Sequence, residues 1–217
     1  MLGADFDNIS LIALLGALAL VPFLAVMATA FIKIVIVFSL LRNALGVQQT
    51  PPNMALYGVA MVLTLYVMAP VGYEIREYVD SNPQLVSEPE RFGELIDGAL
   101  KPYLYFLYQN TTEKERVFFV EKATELWPEK YAKTLNEQSL MVLMPAFTVT
   151  QITEVFKIGF LIYLPFIVMD LIVSNILLAM GMMMVSPMTI SLPFKLLIFV
   201  MLDGWTRLTH SLISTFG

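Results

Sequence analysis

The chain has 217 residues, 58% of them hydrophobic and only 14% charged, with a formal net charge of −5. Soluble domains carry about a quarter charged residues, so this balance excludes an ordinary soluble domain and points to a membrane protein. With no cysteine, one histidine (His210) outside any metal-binding spacing and no basic patch, disulfides, thiol chemistry, metal hydrolysis and nucleic-acid binding all lack a basis.

Residues 9–41 are apolar for longer than the about 20 residues of one upright span, and Pro22 is expected to kink or divide the stretch. Ala28-Thr29-Ala30 looks like a signal-peptidase site. The residues before it carry Asp5 and Asp7 instead of a basic segment, and the apolar run continues to Leu41, so a retained helix is expected. Lys33 interrupts that run. A lone ammonium at mid-bilayer costs about 2.5–3.5 kcal/mol, so Lys33 either meets a partner or an aqueous cavity, or snorkels from near a helix end. In the turn from Arg42 to Asn53, Gly46 suits a helix C-cap and Pro51-Pro52 forces an extended exit. Met54–Tyr73 is a second apolar segment, completing a helical hairpin. Arg42 in the turn favours a cytoplasmic tip, which places the next region outside.

Residues 74–139 hold 13 acids and 8 bases, whereas the rest of the chain is balanced. This polar module reads as helical and periplasmic. Ser87 with Glu90 and Thr112 with Glu115 fit capping boxes. Phe92, Leu95, Ile96, Leu100 and Leu104 keep helical spacing, weakened by Gly98 and Pro102. Phe119, Ala123, Trp127 and Tyr131 mark one face of a second helix that Pro128 is expected to bend. The aromatic stripe suits core or subunit contacts, not a cofactor site, and no paired acids or nucleophile accompany it. Neither cofactor nor metal is expected.

From Leu140 the chain is apolar again. Glu154 and Lys157 lie three apart and are placed to pair. Leu161–Val185 and the shorter Ile190–Leu202 make a second hairpin with Gly181–Thr189 as its tip. Gly181 and Pro187 bracket that tip as loop or hinge residues around Met182, Met183 and Met184. Methionine is an ordinary gap-filler, so the triplet by itself suits packed core or lipid contact as well as a working loop. Asp170 and Lys195 flank the tip in apolar surroundings; opposite charges on the two arms of one hairpin are expected to neutralise each other. The fold class is therefore an all-α membrane protein: two kinked helical hairpins, 1–73 and 140–217, flanking a helical polar module, 74–139.

Several blocks resemble the SctR/FliP family of type III secretion export-gate subunits. They are Phe38-Ser39-Leu40-Leu41-Arg42-Asn43-Ala44-Leu45-Gly46, Gln48-Gln49-Thr50-Pro51-Pro52-Asn53, Pro145-Ala146-Phe147, Ile158-Gly159-Phe160, Leu164-Pro165-Phe166, and Asp170-Leu171 through Lys195. The short start resembles the injectisome branch, SctR, more than flagellar FliP, whose members begin with a longer cleavable signal. The resemblance implies a pentamer joined by SctS-like and SctT-like gate subunits and an SctU-like switch protein. It implies a gate at the bacterial inner membrane, protruding toward the periplasm, that passes unfolded effector and needle proteins. It also implies that Met182, Met183 and Met184 form a gasket around the pore. That role is chemically reasonable: flexible, polarizable thioethers reshape around passing side chains, and an apolar constriction closes by excluding water. The alternatives are a flagellar gate subunit, a secretion scaffold that never touches substrate, and a small-solute transporter built on broken helices. An enzyme is not expected, since no nucleophile–base or metal set can be assembled.

Overall fold

The computed structural model describes residues 15–16, 19, 26–47, 50–87, 91–182 and 184–216, which are helical and contain no strand. Residues 9–14, 17–18 and 20–25 of the 9–41 stretch, Pro22 among them, together with Gln48, Gln49, the Glu90 half of the first capping box, and Met183, lie outside the described residues. Helix α1 (Phe31–Leu45) is the centre of the fold. Ile32, Lys33, Ile34, Val37, Phe38, Leu41, Ala44 and Leu45 are all buried, as a helix apolar on every side requires. It ends as its sequence suggests: Gly46 takes the left-handed conformation (φ 76°), and its N–H bonds Asn43 O.

Helix α2 (Asn53–Ser81) follows the extended Pro52 and runs through Pro70 and past Tyr73 into the polar region. Its 29 residues make it about 44 Å long at 1.5 Å per residue. Only Leu56, Ala60 and Thr64 are buried along it, so most of its apolar surface is unpartnered within the chain.

The polar region is helical: α3 (Pro83–Ser87), α4 (Phe92–Gln109), α5 (Glu113–Leu126) and the single turn α6 (Glu129–Ala132). Two local expectations need correction. Thr112 does sit at the N-cap of α5, but its hydroxyl faces Thr150 Oγ1 at 3.3 Å and caps nothing within its own helix. The helical stripe stops at Ala123. Helix α5 ends at Leu126, Pro128 opens the separate turn α6, and Trp127 and Tyr131 are exposed. In α4, Pro102 is accommodated, and Gly98 lies where Tyr78 of α2 crosses so closely that a Cβ would collide with its ring.

Helix α7 (Leu140–Ala179) is continuous through Pro145 and Pro165 and, at 40 residues, about 60 Å long. After the tip come α8 (Pro187–Met201) and α9 (Gly204–Ser214), which meet at a 62° bend. Among the described residues α2 and α7 are long and apolar enough to cross a membrane, and the bent α8–α9 pair would make a broken third span.

Three apolar clusters hold these helices together. Ile34, Val37, Phe38, Leu56, Ala60, Val155 and Leu212 join α1, α2, α7 and α9. Leu41, Ala44, Leu45 and Phe166 join the end of α1 to α7. Phe106, Leu107, Leu143 and Phe147 seat α4 on α7. Lipid tails are as apolar as leucine, so burial alone does not choose helix partners in a membrane; close packing and polar pairing do. Gly159 supplies the close packing: Leu40 of α1 lies where a Cβ would stand. The polar pairs supply the rest.

Candidate functional site

The second hairpin turns within Met180–Ser186. Met182 N–H bonds Leu177 O at 2.9 Å and Gly181 N–H bonds Leu178 O at 3.0 Å, while Gly181 sits at φ 71°. This double bond pattern is a Schellman ending, which a left-handed glycine completes at little steric cost. On the far side Ser186 is the N-cap of α8 and Pro187 its first residue, where a missing N–H is harmless. Gly181 thus stops one helix and Pro187 starts the next, and Met182 and Met184 lie in the link between two fixed ends. Met184 is fully exposed, and Met180, Met182 and Met188 are exposed around it. Four thioether side chains projecting from one tip form an apolar surface that needs lipid, protein or a passing chain against it.

Below the tip, Lys195 Nζ lies 2.7 Å from Asp170 Oδ2. The hydroxyl of Ser191, itself buried, donates to Asp170 Oδ1 at 2.5 Å, so both carboxylate oxygens are occupied. Lys195 also donates to Ala44 O at 3.3 Å. That carbonyl is among the last four of α1, which have no partner inside their own helix. Lys195 therefore neutralises a carboxylate on α7 and caps the C-terminal end of α1 from α8.

Near the N-terminal end of α1, Lys33 is fully buried, and its Nζ lies 2.6 Å from Glu154 Oε2. It also donates to Thr215 Oγ1 at 3.1 Å and stands 4.4 Å from the centre of the Phe216 ring. Lys33 does not snorkel. Glu154 is engaged by Lys33, not by Lys157, which is exposed and makes no ion pair among the described residues. Glu154 and Asp170 are 16 residues apart on α7, about 24 Å along its axis, so one helix anchors both ends of α1.

The polar region is tied to this frame by bonds that the sequence does not announce. Within that region buried Arg116 pairs with Glu137 at 3.1 Å, donates to Thr111 O at 2.5 Å and stacks 3.9 Å from the Tyr108 ring centre, which joins the region's own helices. Gln151 Nε2 donates to Asn110 O at 2.8 Å, and Tyr103 Oη donates to Ala28 O at 2.8 Å. Burial pushes the Tyr103 phenol up to about 12. Ser191, Thr215, Phe216 and the Ala44 carbonyl complete the two clamps. Each reaches its charge across helices, and only the buried-lysine rule hinted that such partners had to exist.

Among the described residues no group of histidine, cysteine or carboxylate side chains could hold a metal. The site offers apolar flexibility at the tip and fixed charge beneath it.

Residues 14–212 match the FliP family. The chain is similar to Yop proteins translocation protein R of Yersinia pestis, 59% identical over 211 residues that cover 97% of each chain. It is 50% identical to Virulence protein YscR of Salmonella typhimurium over 209 residues, 96% of this chain and 97% of that one. To Hypersensitivity response secretion protein HrcR of Ralstonia nicotianae it is 48% identical over 209 residues, 95% of this chain and 96% of the relative.

Proposed function

The chain belongs to the FliP family, among the injectisome SctR type III secretion proteins, and on that premise we propose that it is a core subunit of the export gate, lining the path of secreted proteins. Members of this family are structural components of the secretion apparatus, not enzymes. In our reading the subunit forms a pentamer, with SctS-like and SctT-like subunits completing the gate and an SctU-like protein beside it. The gate stands at the bacterial inner membrane, protrudes toward the periplasm and passes unfolded effector and needle proteins. Met182, Met183 and Met184 close the path between transits, and the Asp170–Lys195 pair fixes the hairpin that carries them.

The observation that carries this reading is the exposed methionine tip, held between a Schellman cap and a proline helix start. A seal for unfolded chains needs soft side chains on a firm mount, since the side chains must reshape while the backbone stays put. The exposed apolar faces of α2, α7 and α8 favour neighbouring subunits or lipid around the frame.

Deletion of Met182–Met184 tests it. The gate should still assemble, and the cell membrane should then leak small ions. Unchanged conductance through an assembled deletion mutant would exclude the seal.

A further inference from the structure

The turn of the first hairpin carries a tie that the proposed seal does not use. Arg42 Nη1 donates to Asn53 Oδ1 at 2.5 Å and to Pro51 O at 3.4 Å. The last turn of α1 is thereby bound to Pro51 and to the first residue of α2, like a buckle across the turn. A hydrogen bond from a guanidinium is stronger than a neutral one, and Pro51 and Pro52 leave the loop few conformations of its own.

The closed loop abuts the start of α8. A Cβ placed on Gly46 would lie 3.8 Å from Leu192 Cδ1 and 4.0 Å from Met188 Cε. A cleft of about 460 Å³ between the two hairpins is lined by Gly46, Val47 and Thr50 on one side and by Ser186, Met188 and Thr189 on the other. Met182 is already fixed to the end of α7 through Leu177 O. The opposite side of the tip, Ser186 to Met188, has the first-hairpin turn as its neighbour.

We propose that Arg42 is a positioning residue for the methionine tip: by closing the 42–53 turn on Asn53 and Pro51, it sets the surface against which Met188 and the start of α8 rest. Its importance for sealing rests on the gate reading above; its effect on the distance between the two hairpins does not. Loss of the Arg42–Asn53 bond lets the turn move away from α8, and the C-terminal side of the tip loses the surface it rests on.

The natural absence of cysteine allows a direct test in the assembled complex. Thr50→Cys with Thr189→Cys places one thiol on each side of the cleft, to be bridged by a short bismaleimide. Arg42→Ala and Asn53→Ala should each lower the crosslinking yield roughly threefold, the population shift that loss of an exposed charged hydrogen bond produces. The double variant should be no worse than either single one, because both remove the same bond. Asn53→Asp, which keeps an acceptor, should retain the yield. Asn53→Ala leaves the Arg42 charge in place, so a shared effect cannot come from altered membrane topology. Unchanged crosslinking in Arg42→Ala, or independent effects that add in the double variant, would overturn the proposal.

Ion leak is read in parallel on the same variants without the added cysteines. Leak in Arg42→Ala and Asn53→Ala together with reduced crosslinking supports both the brace and the seal. If crosslinking falls while neither these variants nor the Met182–Met184 deletion leaks, the brace stands and the gate reading fails.

Discussion

Two buried lysines hold the two ends of α1, and they do so differently. Lys33 and Glu154 come from opposite arms of the chain, whereas Lys195 and Asp170 face each other within one hairpin. In both pairs the lysine side chain is almost wholly buried, at 1% and 3% exposure, while the acid retains 38% and 31%. The lysines are therefore the dependent partners: a carboxylate left alone can turn outward from the helix packing, but an ammonium enclosed by it cannot. The supporting shells differ as well. Lys33 has the Thr215 hydroxyl and the Phe216 ring in reserve, and Lys195 has one backbone carbonyl.

That difference ranks the consequences of breaking each clamp. Asp170→Ala strands Lys195 and should cost about 3–5 kcal/mol, the range for a buried charge deprived of its partner. It should do so with loss of export, measured by denaturation of the purified complex in detergent and by secretion from cells. Exchanging both charges, Asp170→Lys with Lys195→Asp, should export better than either single change; no improvement would show that the pairing itself is not what matters. Glu154→Ala comes next, at about 2–3 kcal/mol, because Thr215 and Phe216 partly compensate Lys33. Lys33→Met should cost less than Glu154→Ala, about 1 kcal/mol, since Glu154 keeps 38% exposure while Lys33 keeps 1%. A larger cost for Lys33→Met would reverse the assignment of the dependent partner.

An effect as small as that of Lys33→Met belongs to the bond that fastens the polar region to the residues ahead of α1. Tyr103→Phe removes a hydrogen bond to Ala28 O and should cost about 1 kcal/mol. Because the folded phenol titrates at about 12 against an ordinary value near 10, its contribution is complete below pH 10 and is lost as pH rises toward 12. The wild type should therefore lose stability across that window more steeply than Tyr103→Phe, with the phenolate absorbance of Tyr103 appearing late.

What the sequence disclosed follows the same division between near and far. The all-helical class, the C-cap at Gly46 and the paired hairpins are legible because periodicity, glycine and proline act within a few residues. Hydropathy alone places the end of the first arm at Tyr73, yet α2 continues to Ser81, since a helix already nucleated gains one hydrogen bond for each residue added. The partner of Glu154 was misjudged for the opposite reason. Lys157 is nearer in the chain, but Lys33, with no access to water, has more to gain from a carboxylate. Thr112 likewise looked like a capping hydroxyl, and only the packing of α5 on α7 supplies the competing Thr150. The importance of the methionine tip was not legible from composition. Periodicity cannot separate a soft seal from a gap-filling run, and the seal proposed for it rests on the resemblance to export-gate subunits.

The central claim is that secreted chains pass beside this tip. A single cysteine introduced as Met184→Cys, in an assembled gate carrying a substrate stalled by a folded C-terminal domain, tests it most directly. The account predicts a disulfide between that cysteine and cysteines placed along the unfolded part of the cargo, and none with cargo that is not engaged. Failure to crosslink from Met184 and from its neighbours Met182 and Met188, in a gate that is still secreting, would contradict it.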